Sequence, residues 1–253
     1  MSLRNTLRER PIVGTFVSTS SPAVAEILGR SGFELLCFDS EHGVFGPVEI
    51  EQSLRAATAV GVAAIVRVSS IGPEIGRALD SGAAGVLVPM VESAEQARAV
   101  VSAVRYPPTG ARGAGPGRAT AYGIDFADYL ANSDSDVAAI VQVETRAAVE
   151  AVEEIVAVPG IDMVFVGPGD LSVSLGVPGG SAEHTRAIET VIAAARAAGI
   201  PVGMFCMTAE AVRQWSQRGV TLFLVAGDIA LLAQGATALA AEARAAVLSE
   251  VAA

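Results

Sequence analysis

The segment Asp39-Ser40-Glu41-His42-Gly43 follows directly on the apolar run Phe33-Glu34-Leu35-Leu36-Cys37-Phe38, setting one of the chain's two histidines beside two carboxylates. A short apolar run reads as a buried strand of an α/β protein, and polar residues at its carboxyl end face a ligand crevice. There an imidazole next to a carboxylate can be oriented and tuned as a base near neutral pH. The same residues also fit a turn in which Asp39 caps the next helix and His42 is a satisfied ring. The other strand ends have to decide between the two.

Three further apolar runs end in polar residues. Ala64-Ile65-Val66 leads into Arg67, Ile140-Val141-Gln142-Val143 into Glu144, and Val164-Phe165-Val166 into Gly167-Pro168-Gly169-Asp170. Glu144 and Asp170 on adjacent strands can jointly hold a hard divalent cation, Mg²⁺ or Mn²⁺, and leave positions for water and substrate. Zinc is disfavoured, because no histidine or cysteine cluster accompanies them. Taken singly, Asp170 also fits a helix cap and Glu144 a partner for Arg146. Gly167 and Gly169 would let backbone N–H groups approach an anion closely. Arg67 interrupts an apolar strand and needs an anion there, either Asp39 or Glu41 or a substrate carboxylate. A 2-oxo acid would meet that need and chelate a cation at Glu144 and Asp170.

All 17 basic residues are arginine. Without lysine the chain can form neither a Schiff base with a carbonyl substrate nor an internal pyridoxal aldimine, so any carbanion must be stabilised another way.

The elements that would position these groups follow from periodicity. Apolar runs near 12–18, 34–39, 63–68, 85–91, 138–144, 162–167, 201–206 and 221–226 alternate with amphipathic, alanine-rich stretches. Eight such units in 253 residues predict a single-domain (β/α)8 barrel, with a doubly wound open sheet as the alternative. Helices are expected over Pro22–Arg30, Pro47–Val60 and Ser93–Val104, each opened by Pro or Ser. The stretch Arg105 to Gly123, rich in Gly, Pro and Arg, reads as a long insertion followed by a short helix through Tyr129, and Ala230 to Ala253 as a final helix. Arg112 and Arg118 of the insertion either reach a distal substrate carboxylate or make salt bridges between subunits. His184 is expected in solvent on a surface helix, and Trp215 at a packing or subunit contact.

A net charge of −10 argues against a nucleic-acid or acidic-membrane partner. Cys37 and Cys206 lie in apolar segments as packed thiols. The arginine-rich first ten residues lack an apolar leader and no segment is long enough to span a membrane, so the cytoplasm is the expected compartment.

The blocks Phe38-Asp39-Ser40-Glu41-His42-Gly43, Val66-Arg67-Val68, Ala83-Ala84-Gly85-Val86-Leu87-Val88-Pro89-Met90-Val91, Arg105-Tyr106-Pro107-Pro108-Thr109-Gly110-Ala111-Arg112-Gly113, Val141-Gln142-Val143-Glu144-Thr145 and Val166-Gly167-Pro168-Gly169-Asp170-Leu171-Ser172 resemble, in this order, the HpcH/HpaI family of metal-dependent class II pyruvate aldolases. The resemblance implies reversible cleavage of a 4-hydroxy-2-oxo acid to pyruvate and an aldehyde through a metal-stabilised enolate. It implies His42 as catalytic base beside Asp39, Glu144 and Asp170 as ligands of Mg²⁺, Mn²⁺ or Co²⁺, and Arg67 as the enolate-stabilising group. Gln142 and the backbone at Gly169 to Asp170 would contact the oxo acid. A further aspartate, supplied in the family by a neighbouring subunit, corresponds to Asp80, although its spacing from Arg67 is one residue short. A homo-oligomer is implied, a hexamer built as a trimer of dimers with the last helix exchanged. Succinic semialdehyde, tartronate semialdehyde and lactaldehyde are candidate aldehydes. A citrate-lyase β-type acyl-CoA lyase shares the barrel and metal site, but no basic patch offers itself to nucleotide phosphates; a non-catalytic binding barrel is the remaining alternative.

Overall fold

The computed structural model describes residues 2–251. Eight parallel strands, β1 (Ile12–Val17), β2 (Leu35–Asp39), β3 (Ala63–Arg67), β4 (Gly85–Val88), β5 (Ala138–Val143), β6 (Met163–Val166), β7 (Val202–Cys206) and β8 (Leu222–Gly227), pair in sequence order, and β8 returns to β1 to close a barrel. The open-sheet alternative is thereby excluded. Helices follow where their start signals predict: Pro22–Arg30 and Pro47–Ala59 carry Pro at the first turn, and Ser93 Oγ caps Ala94–Val104 by accepting the Gln96 N–H.

Alternation along the strands separates two apolar layers. Leu35 and Cys37, Ile65, Leu87, Ala138 and Ile140, Met163 and Phe165, and Leu222 and Leu224 form one cluster inside the barrel. Leu36 and Phe38, Val66, Val86 and Val88, Val141 and Val143, and Val164 and Val166 form the other, beneath the helices. Counting by two from the inner set reaches Asp39 on β2, Arg67 on β3, and Gln142 then Glu144 on and just after β5. The polar residues are thus the uppermost inward positions of the same strands whose lower positions fill the core.

The opposite end is closed by the helix Leu3–Glu9, whose Leu3 and Leu7 join the inner cluster. Asp162, fully buried, anchors that plug: it pairs with Arg4 at 2.5 Å and Arg105 at 2.6 Å and accepts the Ala139 N–H at 2.9 Å.

The insertion forms a 3₁₀ turn at Arg118–Gly123 and then a helix, Phe126–Asp136, that runs well past Tyr129. Asn132-Ser133-Asp134-Ser135 has poor helix propensity, but the N-terminal helix docks on it. Arg4 donates to the Asp134 carbonyl and Ser2 Oγ to that of Ser135. Tertiary contacts outweigh propensity here. The final helix, Asp228–Val251, leaves the barrel mouth with Ile229, Leu232, Leu239 and Val247 exposed. Among the described residues no helix is long and apolar enough to cross a membrane.

Candidate active site

Asp39 organises one side of the barrel mouth. Strand register sets Asp39 opposite Arg67, and the guanidinium donates from Nε to Oδ1 at 2.9 Å and from Nη2 to Oδ2 at 2.7 Å. Oδ1 also accepts the backbone N–H groups of Glu41 and His42, each at 3.2 Å, so one buried carboxylate fixes both the arginine and the turn bearing the histidine. Arg67 Nη1 lies 3.1 Å from Glu41 Oε2, and the guanidinium carbon stands 4.6 Å from the Phe16 ring centroid. Burial opposes the arginine's charge, but the bonds and charge of Asp39 outweigh it and hold its pKa above the usual value. Burial raises the Glu41 carboxyl against the pull of Arg67. The His42 side chain is 62% exposed at the rim, with Nε2 3.9 Å from Glu41 Oε2.

Glu144 and Asp170 organise the other side. Glu144 is almost fully buried; its Oε1 accepts the Met90 N–H at 2.8 Å and its Oε2 accepts from Gln142 Nε2. Burial raises its pKa, partly offset by those two bonds, and the charge of Asp170 raises it further. Gly167 must lack a side chain, since a Cβ there would sit 2.6 Å from Glu144 Oε2. Asp170 is in the first turn of the helix Pro168–Leu175, and Arg146 pairs with Glu183 at 3.5 Å rather than with Glu144. Gln142 Oε1 is buried without a hydrogen-bond partner. Two mutually repelling carboxylates and an orphaned carbonyl oxygen make a hard-oxygen donor set suited to Mg²⁺ or Mn²⁺, which need only one or two protein carboxylates when substrate supplies the rest. Among the described residues no cluster of three or more His, Cys, Asp or Glu offers a fuller cage. Both sides open on one cavity of about 440 Å³ lined by Asp39, His42, Arg67, Gln142, Gly169 and Asp170, with an outer wall of Phe205, Met207, Ile229 and Ala233.

Residues 13–234 match the family model described as HpcH/HpaI aldolase/citrate lyase. The chain belongs to that family. It is 40% identical over 92% of its length to a 2-dehydro-3,6-dideoxy-6-sulfogluconate aldolase of Pseudomonas putida, 92% of which is covered. It is 38% identical over 87% of its length to a 2-keto-3-deoxy-L-rhamnonate aldolase of Escherichia coli K12, 84% of which is covered. A family protein of Burkholderia cenocepacia J2315 superimposes with a TM-score of 0.91 at 37% identity, covering 96% of this chain and 98% of that one. The chain is accordingly an aldolase-type carbon–carbon lyase.

In this HpcH/HpaI barrel Asp39, His42, Arg67, Gln142, Gly169 and Asp170 share one cavity, with Glu144 bonded to Gln142 behind it. Asp80 does not join them within one chain. It ends the helix Pro73–Asp80, which descends from the β3 mouth to the opposite face of the barrel, and its carboxylate accepts from Arg112 Nη2 at 2.7 Å. Arg112 is buried against Tyr106 and Tyr129, and Arg118 donates to the Ser81 carbonyl and Thr58 Oγ1, so neither arginine reaches the cavity of its own chain. His184 is not solvated as its sequence context predicts: it is 5% exposed, with both ring nitrogens engaged. The Gly179-Gly180 turn folds back over the ring, an arrangement set by tertiary packing. Trp215 packs partly buried against the outer core under Arg218.

Sequence reasoning also passed over Met90. Its φ of 56° is a left-handed conformation that costs a side-chain-bearing residue on the order of 1–3 kcal/mol, and it aims the amide at Glu144. No sequence signal marks it, because glycine would be the expected residue there.

Proposed function

We propose that this aldolase reversibly cleaves a 4-hydroxy-2-oxo acid into pyruvate and a short, uncharged aldehyde, using a divalent cation. The observation that carries the reading is the convergence on one cavity of a charged, rigidly held Arg67 with Gln142, Asp170 and the His42 turn, backed by the buried Glu144.

The cation, Mg²⁺ or Mn²⁺ with Co²⁺ also suited to oxygen donors, would be held by Glu144 and Asp170 and supplies a Lewis acid to the 2-oxo group. Gln142 and the Gly169 backbone position the oxo acid. Arg67, unable to lose its proton, faces the oxygen on which negative charge develops. His42, its backbone held by Asp39, takes the proton of the 4-hydroxyl group. As the C4–O bond becomes a carbonyl, the C3–C4 bond breaks and its electron pair passes to C3–C2–O as the enolate. Protonation at C3 then gives pyruvate.

Three features favour an uncharged aldehyde. The outer wall is apolar, Asp228 at its base is occupied by the Ser18 and Thr19 N–H groups, and Arg112 and Arg118 are committed elsewhere. Lactaldehyde fits this wall better than succinic or tartronate semialdehyde. The exposed apolar residues of Asp228–Val251 support a homo-oligomer; the family resemblance implies a hexamer of three dimers with that helix exchanged, in which Asp80 would serve the histidine of a neighbouring copy.

The test is exchange of the pyruvate methyl protons in deuterated buffer. Exchange that requires Mg²⁺ or Mn²⁺ and stops with a chelator is expected. Absence of exchange in metal-loaded protein, or indifference to the chelator, overturns the reading.

A further inference from the structure

The second histidine does not line the cavity yet is tied to the loop that shapes it. His184 stands in the first turn of the helix Ala182–Ala197, where its own N–H donates to the cap Ser181 Oγ at 3.3 Å. Its Nδ1 accepts the Gly180 N–H at 3.0 Å, and its Nε2 lies 2.8 Å from the Pro168 carbonyl oxygen. An N–H can only donate and a carbonyl can only accept, so these partners fix the ring as neutral with its proton on Nε2. One ring thereby staples both ends of the excursion that leaves β6 at Gly167 and returns at Ser181.

The Pro168 carbonyl shares a peptide plane with the Gly169 N–H. In a trans peptide the two point to opposite sides, so a bond that fixes the carbonyl fixes the direction of the amide. Gly169 has no side chain, its surroundings would leave a Cβ in open space, and it lines the cavity one residue before Asp170. The Gly167 cap has no side-chain hydrogen bond either. His184 therefore adds a side-chain hold to the first peptide of the helix Pro168–Leu175, whose cap residue supplies none.

We infer that His184 is a positioning residue: through the Pro168 carbonyl it aims the Gly169 N–H and seats Asp170, setting affinity for the oxo acid and the cation without touching either. The inference rests on the proposed reading of Gly169 and Asp170 as their contacts.

His184→Phe keeps a ring but removes both hydrogen bonds, whereas His184→Gln keeps one donor and one acceptor. For His184→Phe, the Mn²⁺ Kd measured by calorimetry and the KM for pyruvate exchange are each expected to rise at least about tenfold, the range seen when groups behind a metal ligand are removed. The kcat should fall less, and His184→Gln should recover most of the loss in Kd. A lowered melting temperature with Kd and KM within twofold of wild type would make His184 merely structural and overturn the inference. Should His184→Phe fail to fold, the wild-type protein decides. Its water-shielded His184 Nε2–H resonance should move on adding Mg²⁺ and pyruvate, and an unmoved signal overturns the inference. Metal-dependent exchange by wild type with an unaffected His184→Phe defeats this inference alone, whereas wild type that neither exchanges nor binds Mn²⁺ defeats the proposed function with it.

Discussion

Asp39 and Arg67 face one another across β2 and β3 in a two-bonded ion pair, and the same carboxylate holds the two N–H groups that begin the His42 turn. Charge placement and base placement therefore depend on one side chain. An amide at that position could accept on one side only. Asp39→Asn is expected to lower kcat/KM for aldol cleavage by about 10–100-fold, the range for groups that orient a site's contact residues. Steady-state assays alongside a melting curve check this, and near-wild-type turnover in a folded variant would refute it.

Burial raises the Glu144 pKa, so folding of the metal-free protein penalises its ionised form. Its folded pKa is raised above the unfolded value near 4.5, as is that of Glu41. The stability this contributes is complete below that unfolded value and is lost as pH rises through the raised folded pKa, at roughly 1.4 kcal/mol per unit of difference. Chemical denaturation across pH 4 to 8 should show metal-free wild type losing stability relative to Glu144→Gln. Glu144→Gln should also be the more stable of the two at pH 7 and should gain nothing from added Mn²⁺. The reverse order at pH 7 would contradict the assignment.

At the far end of the barrel, Asp162→Ala strands Arg105, which is 2% exposed, and unties Arg4. Removing one partner of a buried pair costs about 3–5 kcal/mol. Urea unfolding should show a loss of that size. Pyruvate exchange by the folded fraction should stay within about twofold, because Asp162 lies a barrel's length from the cavity. A loss below about 1 kcal/mol would show that the plug does not depend on this carboxylate.

The apolar outer wall predicts a ranking of aldehydes. With pyruvate as the donor, kcat/KM for lactaldehyde should exceed that for succinic semialdehyde by at least about tenfold, since a carboxylate would be stripped of water without a cation to meet it. Equal or inverted values in a small aldehyde panel would show that a cation reaches the cavity from another copy of the chain.

How much of this was legible beforehand differs by element. The eight strands and the helices opened by Pro22, Pro47 and Ser93 follow from apolar runs and start signals, which are local. The inward set Asp39, Arg67, Gln142 and Glu144 follows from period-two counting once a barrel is assumed. The strained amide of Met90, the burial of His184, the extra turns to Asp136 and the capture of Arg112 by Asp80 and two tyrosines depend on segments far apart in sequence. The local context of His184 pointed it toward solvent, and packing overrode it.

The ion pair at the top of β2 and β3 also bears on how the barrel is threaded. Because facing reverses at every residue, a one-residue slip of β2 would turn Asp39 into the aliphatic shell under the helices and present Phe38 to the mouth, leaving Arg67 without its carboxylate. An aliphatic barrel of Val, Ile and Leu discriminates weakly among such mis-registered closures. A buried charge stranded by the slip discriminates strongly, so this pair weights the balance toward the native register.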